Sequence, residues 1–143
     1  MNLMKLLAAT MFPALLAPAL SAGELVVVVN GASGGKGEIG CAVYRSAEGF
    51  PMNPAKAVAR VWVKAGSPVE CRFADLPPGE LAVAVSHDLN GNRETDKNLF
   101  GIPKEPWGVS NNVRPGMRAP RFEEARVQMP ATGELRMEVQ VAK

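Results

Sequence analysis

Apolar residues alternate with polar or small residues along much of the chain, at the period of two that is typical of half-buried β-strands. Seven segments carry this pattern: 24–30, 38–45, 57–63, 69–73, 81–87, 121–129 and 133–141. Gly-, Pro- and Asn-rich turns separate them, and no segment shows a sustained helical period. We therefore predict an all-β fold: a seven-stranded antiparallel β-sandwich, immunoglobulin-like, whose last two strands form a hairpin.

Two cysteines and a tryptophan belong to the predicted core. Cys41 shares its apolar stripe with Ile39 and Val43, and Cys71 lies in a similar stripe. Residues two positions apart on a strand face the same side, so both sulfurs are expected in the core, where they can form a disulfide. Two buried thiols are the alternative. Trp62 is expected in the core because buried aromatic side chains dominate core packing.

The N-terminal segment has the pattern of a secretory signal peptide. One cation near the N-terminus is followed by the apolar stretch Leu6–Leu16 and by small residues up to Ala22. The apolar stretch is too short for a bilayer span, contains Pro13 and is followed by Pro18. No integral membrane segment is therefore expected after cleavage. We predict a signal peptide at 1–22, a single domain at 23–143, and a periplasmic or secreted protein.

The composition is that of an ordinary globular protein. Of the 143 residues, 47% are hydrophobic and 21% are charged, with 16 Lys and Arg against 14 Asp and Glu. An excess of two positive charges does not create the basic field that attracts phosphate backbones, so no nucleic-acid partner is expected.

The segment 87–120 lacks a convincing strand or helix, and loops of this length in compact domains are usually functional or disordered. Its apolar content disfavours disorder. An ordered loop packed on one end of the sandwich is therefore expected, and it needs an interaction that holds it in place.

A calcium ion is the interaction that the sequence suggests. Oxygen-bearing side chains recur at every second position in D-x-N-G-N-x-x-x-D: Asp88, Asn90, Asn92, Glu94 and Asp96. Calcium requires six to eight oxygen ligands, and Glu94 is expected to contribute its backbone carbonyl. Arg93 and Leu99 stand where an EF-hand requires Gly and Glu, so that motif is excluded. The prediction is a weak structural Ca²⁺ site, and the alternative is a plain Asn-Gly turn.

The same loop holds the candidates for binding a protein or a small molecule. These residues are His87, Phe100, Trp107, Asn111, Asn112 and Arg114. Phe100 and Trp107 form either a recognition surface or the loop's own packing. Four arginines follow one another and either receive an anionic group or balance nearby glutamates: Arg114, Arg118, Arg121 and Arg126.

Enzymatic function has little support in the sequence. His87 is the only histidine, and the adjacent Ser86 and Asp88 alternate across a strand, so these three residues cannot form a catalytic triad. Several methionines offer soft ligands for copper, but none clusters with His87.

Five short motifs follow one another along the chain. They are Leu76–Gly79 (LPPG), His87–Asn92 (HDLNGN), Leu99–Glu105 (LFGIPKE), Gly108–Asn112 (GVSNN) and Phe122–Ala125 (FEEA). Together they resemble the bacterial exported family known as domain of unknown function 2141. The resemblance implies a secreted β-sandwich of the prealbumin-like or immunoglobulin-like kind and no established biochemical activity.

The expected function is that of an exported, non-enzymatic module in which Ca²⁺ orders a loop that binds a protein or a small ligand. The alternative is a small-ligand or copper carrier, or a hydrolase-like enzyme, that uses His87 and the arginine-rich loop.

Overall fold

The computed structural model describes residues 22–143, so the predicted signal peptide lies outside the described residues except for Ala22. Within this range the chain forms eight β-strands and one short α-helix. The strands are β1 (Gly23–Asn30), β2 (Glu38–Tyr44), β3 (Ala59–Lys64), β4 (Val69–Leu76), β5 (Gly79–Asp88), β6 (Trp107–Val109), β7 (Val127–Met129) and β8 (Glu134–Gln140). The helix α1 spans Phe122–Ala125.

The strands form two sheets. In the three-stranded sheet, β1 lies in the centre, with β4 antiparallel on one side and β8 parallel on the other. The five-stranded sheet has the order β3-β2-β5-β6, and β7 pairs with the first residues of β5. All pairs in this second sheet are antiparallel. The prediction of an all-β fold is confirmed.

The main core lies between the two sheets. Inward-facing residues of β1, β2, β4, β5 and β8 form one buried cluster, as the alternating pattern predicted. The Cys41–Cys71 disulfide crosses this core and connects β2 in one sheet to β4 in the other. The disulfide prediction is therefore confirmed, and the fold is sandwich-like.

The valine run of β1 is buried on both faces. Val27 and Val29 belong to the core, whereas Val26 and Val28 lie on the outer face of the sheet and are still buried. Charged residues of the flanking strands stand beside these two valines in the register. They are joined in ion pairs: Arg72 with Glu24 and Glu70, and Arg136 with Glu70 and Glu134. The aliphatic stems of these side chains cover the outer valines.

Four predictions about the strands are corrected. The segment 121–129 begins as α1, because Phe122 and Ala125 lie on one buried side of a helical turn. The predicted terminal hairpin is wrong, since β7 pairs with β5 whereas β8 pairs with β1 in the other sheet. Because the β1–β8 pair is parallel, the predicted antiparallel arrangement is also wrong for this pair. β6 is an additional strand inside the long loop, so residues 22–143 contain eight strands and not seven.

A second buried cluster covers part of the outer face of the five-stranded sheet. Phe122 and Ala125 of α1 pack there with Tyr44 and Val109. The Phe50 ring contacts Tyr44 and Phe122 edge to face, with ring centroids 5.4 and 6.0 Å apart. These contacts hold α1 and the end of the long loop against the sheet.

Candidate functional site

The long loop leaves the five-stranded sheet at Asp88, the last residue of β5. Asp88 is 1% exposed, and its carboxylate accepts hydrogen bonds from the backbone N–H groups of Gly91 at 2.9 Å and Arg93 at 2.7 Å. Gly37 packs directly against this turn. Its φ is +79°, and a Cβ there would lie 2.0 Å from the Asp88 carbonyl oxygen. The turn therefore depends on both Asp88 and the glycine at position 37.

The oxygen-bearing residues after Asp88 bond mostly to one another. Oδ1 of Asn90 accepts from the N–H of Asn92 at 3.1 Å, and Oδ1 of Asn92 accepts from the N–H of Glu94 at 2.9 Å. The amide groups of Asn90 and Asn92 donate to the two carboxylate oxygens of Asp96, at 2.5 and 3.1 Å. The structure thus brings Asn90, Asn92 and Asp96 together. We call residues 88–96 the polar turn.

The polar turn is not a preassembled metal centre. Within the part of the chain that the structure describes, no group of three or more His, Cys, Asp or Glu side chains is arranged to hold a metal ion. The carboxylates are nevertheless hard donors, and a carboxylate oxygen that accepts one hydrogen bond retains a further lone pair. The Ca²⁺ site predicted from the sequence stays a prediction.

Glu105 is a residue of this region that sequence spacing did not single out. Its side chain is buried, and Oε1 accepts a hydrogen bond from the backbone N–H of Leu89 at 3.1 Å. Oε2 is also buried and has no hydrogen-bond partner among the described residues. Burial raises the pKa of the Glu105 carboxyl, and repulsion from Asp88 and Asp96 adds to the increase. Only its place in the motif Leu99–Glu105 marked it in the sequence.

Arg93 holds the polar turn against the five-stranded sheet. Its Nε and Nη2 donate to the Glu38 carboxylate, both at 2.9 Å, and its guanidinium carbon lies 5.5 Å from the centroid of the Trp62 ring. Trp62 was expected in the core, but it is half-buried on the outer face of the sheet. It lies there because β3 turns its valines inward, and Gly40 leaves room for the Trp62 ring.

Residues 97–103 form a hydrogen-bonded turn that we call the apolar turn. Oδ1 of Asn98 accepts from the N–H groups of Phe100 at 2.9 Å and Ile102 at 3.0 Å, and the Asn98 N–H donates to the Ile102 carbonyl at 2.8 Å. Leu99 is fully exposed and Phe100 is 87% exposed. Hydrogen bonds, and not burial of its large side chains, hold this turn in shape.

A groove of about 360 Å³ lies between the apolar turn and residues 115–120. We call it the apolar groove. Its walls include Met52, Phe100, Ile102, Trp107, Pro115 and Met117. Phe100, Ile102 and Met117 are themselves exposed, and the exposed Leu99 adjoins them in the chain. The predicted candidates Phe100 and Trp107 therefore meet at one surface.

The side chain of His87 does not reach that surface. It is 2% exposed, and Nε2 lies 2.7 Å from the carbonyl oxygen of Lys36. Because a carbonyl oxygen only accepts hydrogen bonds, Nε2 carries the proton and donates it. His87 thereby fixes the glycine-rich segment that precedes β2.

Asn111, Asn112 and Arg114, also predicted to bind a ligand, bond to the protein's own backbone. Asn111 donates to the carbonyls of Glu124 and Arg126, both at 3.1 Å, and Oδ1 of Asn112 accepts from the Gln140 N–H at 2.8 Å. Arg114 stacks on the Trp107 ring at 4.1 Å and donates to the Trp107 and Ala142 carbonyls. These residues order the loop around the groove.

The arginines that follow have separate partners. Arg118 forms two hydrogen bonds with Glu124, at 2.9 and 2.7 Å, and these bonds lower the pKa of Glu124 to about 2. Arg126 lies 3.5 Å from Glu80. With Arg114 stacked on Trp107, these contacts do not bring the side chains together as one anion site.

These features define a disulfide-bonded, β-sandwich-like protein with a long ordered loop on one face. The chain belongs to the family described as "Uncharacterized protein conserved in bacteria", domain of unknown function 2141, whose profile matches residues 27–138. The resemblance seen in the motifs is thus confirmed. No curated protein matches the chain, and neither does any solved structure. No helix within residues 22–143 is long and apolar enough to span a membrane.

Proposed function

We propose that this protein is an exported, non-catalytic binding module of the immunoglobulin-like or prealbumin-like type, and that it binds an apolar segment of a partner protein in the apolar groove. The signal-peptide pattern of residues 1–22 supports export. The disulfide is consistent with it, because disulfides persist in oxidising compartments.

The exposed apolar side chains around the groove carry this proposal. Leu99, Phe100, Ile102 and Met117 are between 57% and 102% exposed, and three of them line one groove. Clustered apolar exposure of this kind marks interaction sites in soluble proteins. The asparagine-ordered turn presents these side chains without a large loss of conformational freedom on binding.

A small-ligand carrier is the second candidate, and the size of the groove favours it. Its volume of about 360 Å³ is within the range of small-molecule sites. Met52 and Met117 in its walls make copper a candidate ligand, because thioethers bind Cu(I). We assign no catalytic step to His87, since its side chain is buried and donates to the Lys36 carbonyl.

Binding of the dye anilinonaphthalene sulfonate tests the groove. We expect Ile102→Ser to reduce the dye's fluorescence enhancement, because it removes an apolar wall. Val58→Ser is the matched control, since Val58 is also 57% exposed but does not line the groove. Equal dye binding by both variants would refute the groove as the binding surface. One saturable dye site would favour the small-ligand carrier, whereas several weak sites would favour a protein-binding patch.

We further propose that Ca²⁺ binds the polar turn and stabilises the loop. Asp88, Asn90, Asn92 and Asp96 offer side-chain oxygens within one short segment, and Glu94 offers its backbone carbonyl. Thermal unfolding in chelator, and then with millimolar Ca²⁺, Mg²⁺ or Cu²⁺, tests this proposal, since only an ion that binds the folded state raises the midpoint. A rise with Ca²⁺ alone supports it, and no rise with any ion refutes it. A rise with copper alone would favour the copper carrier.

A further inference from the structure

The buried carboxylate of Glu105 has an unused oxygen. The side chain is 7% exposed, and Oε1 is bonded to the Leu89 N–H, but Oε2 has no partner within residues 22–143. A buried acceptor without a partner is costly, and such a group in a native protein commonly indicates an ion or a water. The oxygen therefore marks a place where a ligand is expected.

The charges of two further carboxylates, Asp88 and Asp96, act on Glu105. Asp88 directly precedes Leu89, the residue that donates to Glu105, and the backbone carbonyl of Asp96 accepts from the Lys104 N–H at 2.8 Å. Both ends of the segment 88–105 are thus brought together. Among the described residues, no Lys, Arg or His nitrogen forms an ion pair with Asp88, Asp96 or Glu105. The charges of Asp88 and Asp96 disfavour the ionised form of Glu105, and the Arg93 guanidinium acts on Asp88 without forming an ion pair with it, so a divalent cation would relieve the repulsion.

We propose that Glu105 binds a hard divalent cation together with Asp88 and Asp96, and that Oε2 of Glu105 is its coordinating atom. This inference rests on the proposed function, because it extends the Ca²⁺ site of the polar turn. The inference adds a ligand from outside the polar turn, because Glu105 follows the apolar turn in the sequence. The glutamate takes the place of the acidic closing ligand that the polar turn itself lacks.

The donor chemistry favours Ca²⁺. All the candidate ligands are oxygens, whereas Cys41 and Cys71 are joined in a disulfide and His87 is bonded to Lys36. Soft or nitrogen-preferring metals therefore find no matching donors here. Ca²⁺ also tolerates irregular and flexible coordination, whereas Mg²⁺ demands near-ideal octahedral geometry. The carboxylates must contract around the ion, and the exposed Gly91 gives the backbone freedom to do so.

Such an ion would couple the two turns. Asp96 and Glu105 flank the apolar turn on either side, where Lys97 and Pro103 already form an isolated bridge. A cation bound by both acidic residues would fasten the base of the turn that carries Leu99, Phe100 and Ile102. Ion binding would therefore fix one wall of the apolar groove.

Calorimetric titration of the purified protein with Ca²⁺ tests the inference with two charge-matched variants. We expect Glu105→Gln to weaken Ca²⁺ binding by about tenfold or more, because ligand charge sets the affinity of such sites. Glu123→Gln removes a charge at an exposed side chain outside the proposed ion site, and its affinity should stay close to that of the wild type.

Thermal unfolding provides a second readout that a merely structural role would not produce. In chelator, Glu105→Gln should be as stable as the wild type or more stable, because it removes a buried charge and places a donor near Asp88 and Asp96. With Ca²⁺ present, the wild type should unfold at a higher temperature than Glu105→Gln. If Glu105→Gln fails to fold, Glu105→Asp keeps the charge, shortens the side chain, and should still weaken Ca²⁺ binding.

The outcomes separate this inference from the proposed function. Wild-type affinity in Glu105→Gln would exclude Glu105 as a ligand and leave the Ca²⁺ site of the polar turn intact. If the wild type binds no Ca²⁺, both ion proposals fail, whereas dye binding in the apolar groove is unaffected. Equal weakening by Glu123→Gln would indicate a general charge effect and would also overturn the assignment.

Discussion

Arg93 and Glu38 are joined by two hydrogen bonds of 2.9 Å between a guanidinium group and a carboxylate. Arg93 belongs to the polar turn, and Glu38 begins β2, so this pair connects the loop to the strand next to β5. The hydrogen bond from Arg93 lowers the pKa of Glu38. Arg93 also lies near the Trp62 ring, which places two contacts at one attachment point.

Arg93→Lys should loosen the polar turn without greatly changing global stability. Lysine cannot form the bidentate hydrogen bonds that Arg93 makes with the Glu38 carboxylate. Exposed ion pairs nevertheless contribute little to the free energy of unfolding. Hydrogen exchange followed by mass spectrometry should show faster exchange at residues 89–96. Arg72→Lys, in an exposed ion pair of the other sheet, should leave this exchange unchanged. Unchanged exchange at residues 89–96 in Arg93→Lys would show that other contacts hold the polar turn against the sheet.

Gly37→Ala should destabilise the protein more than Gly34→Ala. Both glycines have positive φ, +79° and +84°, so both substitutions incur backbone strain of about 1 kcal/mol or more. Only at Gly37 does the new Cβ meet the Asp88 carbonyl, whereas nothing lies within 4 Å at Gly34. Urea unfolding of the two variants measures the difference. Equal losses in the free energy of unfolding would mean that the segment before β2 can move away from the polar turn without an energetic penalty.

Reduction of the Cys41–Cys71 disulfide should lower the free energy of unfolding by about 3 to 4 kcal/mol, from the chain-entropy model for a separation of 30 residues. Urea unfolding with and without dithiothreitol measures this loss. The double variant Cys41→Ala/Cys71→Ala controls for the reductant and should not respond to it. An oxidised protein no more stable than the reduced one would contradict the prediction.

Stability should fall in acid partly through Glu124. Its pKa is about 2 in the folded protein, chiefly because of Arg118, against 4.5 for the ordinary group. The folded state thus favours the carboxylate, so the stabilisation is complete above pH 4.5 and is lost as the pH falls toward 2. The stability difference between wild type and Glu124→Gln should therefore shrink over this range in urea unfolding. Glu123→Gln is the neighbouring control, and a difference independent of pH would rule out the Arg118 pair as its cause.

The sequence predicted those parts of the fold that depend on local alternation. The stripes around Cys41 and Cys71 correctly placed both sulfurs in the core. Alternation does not determine strand partners, however, so β7 and β8 were wrongly joined as a hairpin. Trp62 was misplaced because its parity on β3, and not its size, decides which face it occupies. Phe122 and Ala125 have helical spacing, but the helix is a single turn and too short for periodicity to detect.

The candidate site was predicted to the extent that its residues are close in sequence. Asn90, Asn92 and Asp96 do contact one another. Glu105 reaches Leu89 only because the chain turns back through the apolar turn, and spacing cannot reveal such a contact. Asn111, Asn112 and Arg114 were identified as polar loop residues, but their partners are distant backbone groups that only the fold brings near.

The parallel pairing of β1 with β8 affects how the chain reaches its native state. Among the described residues β1 is the first strand in sequence and the central strand of its sheet, yet its neighbours β4 and β8 lie about 40 and 110 positions further along. The sheet is therefore incomplete until β8 is available. Distant pairings of this kind slow folding, so the three-stranded sheet should form late, once β8 can pair with β1.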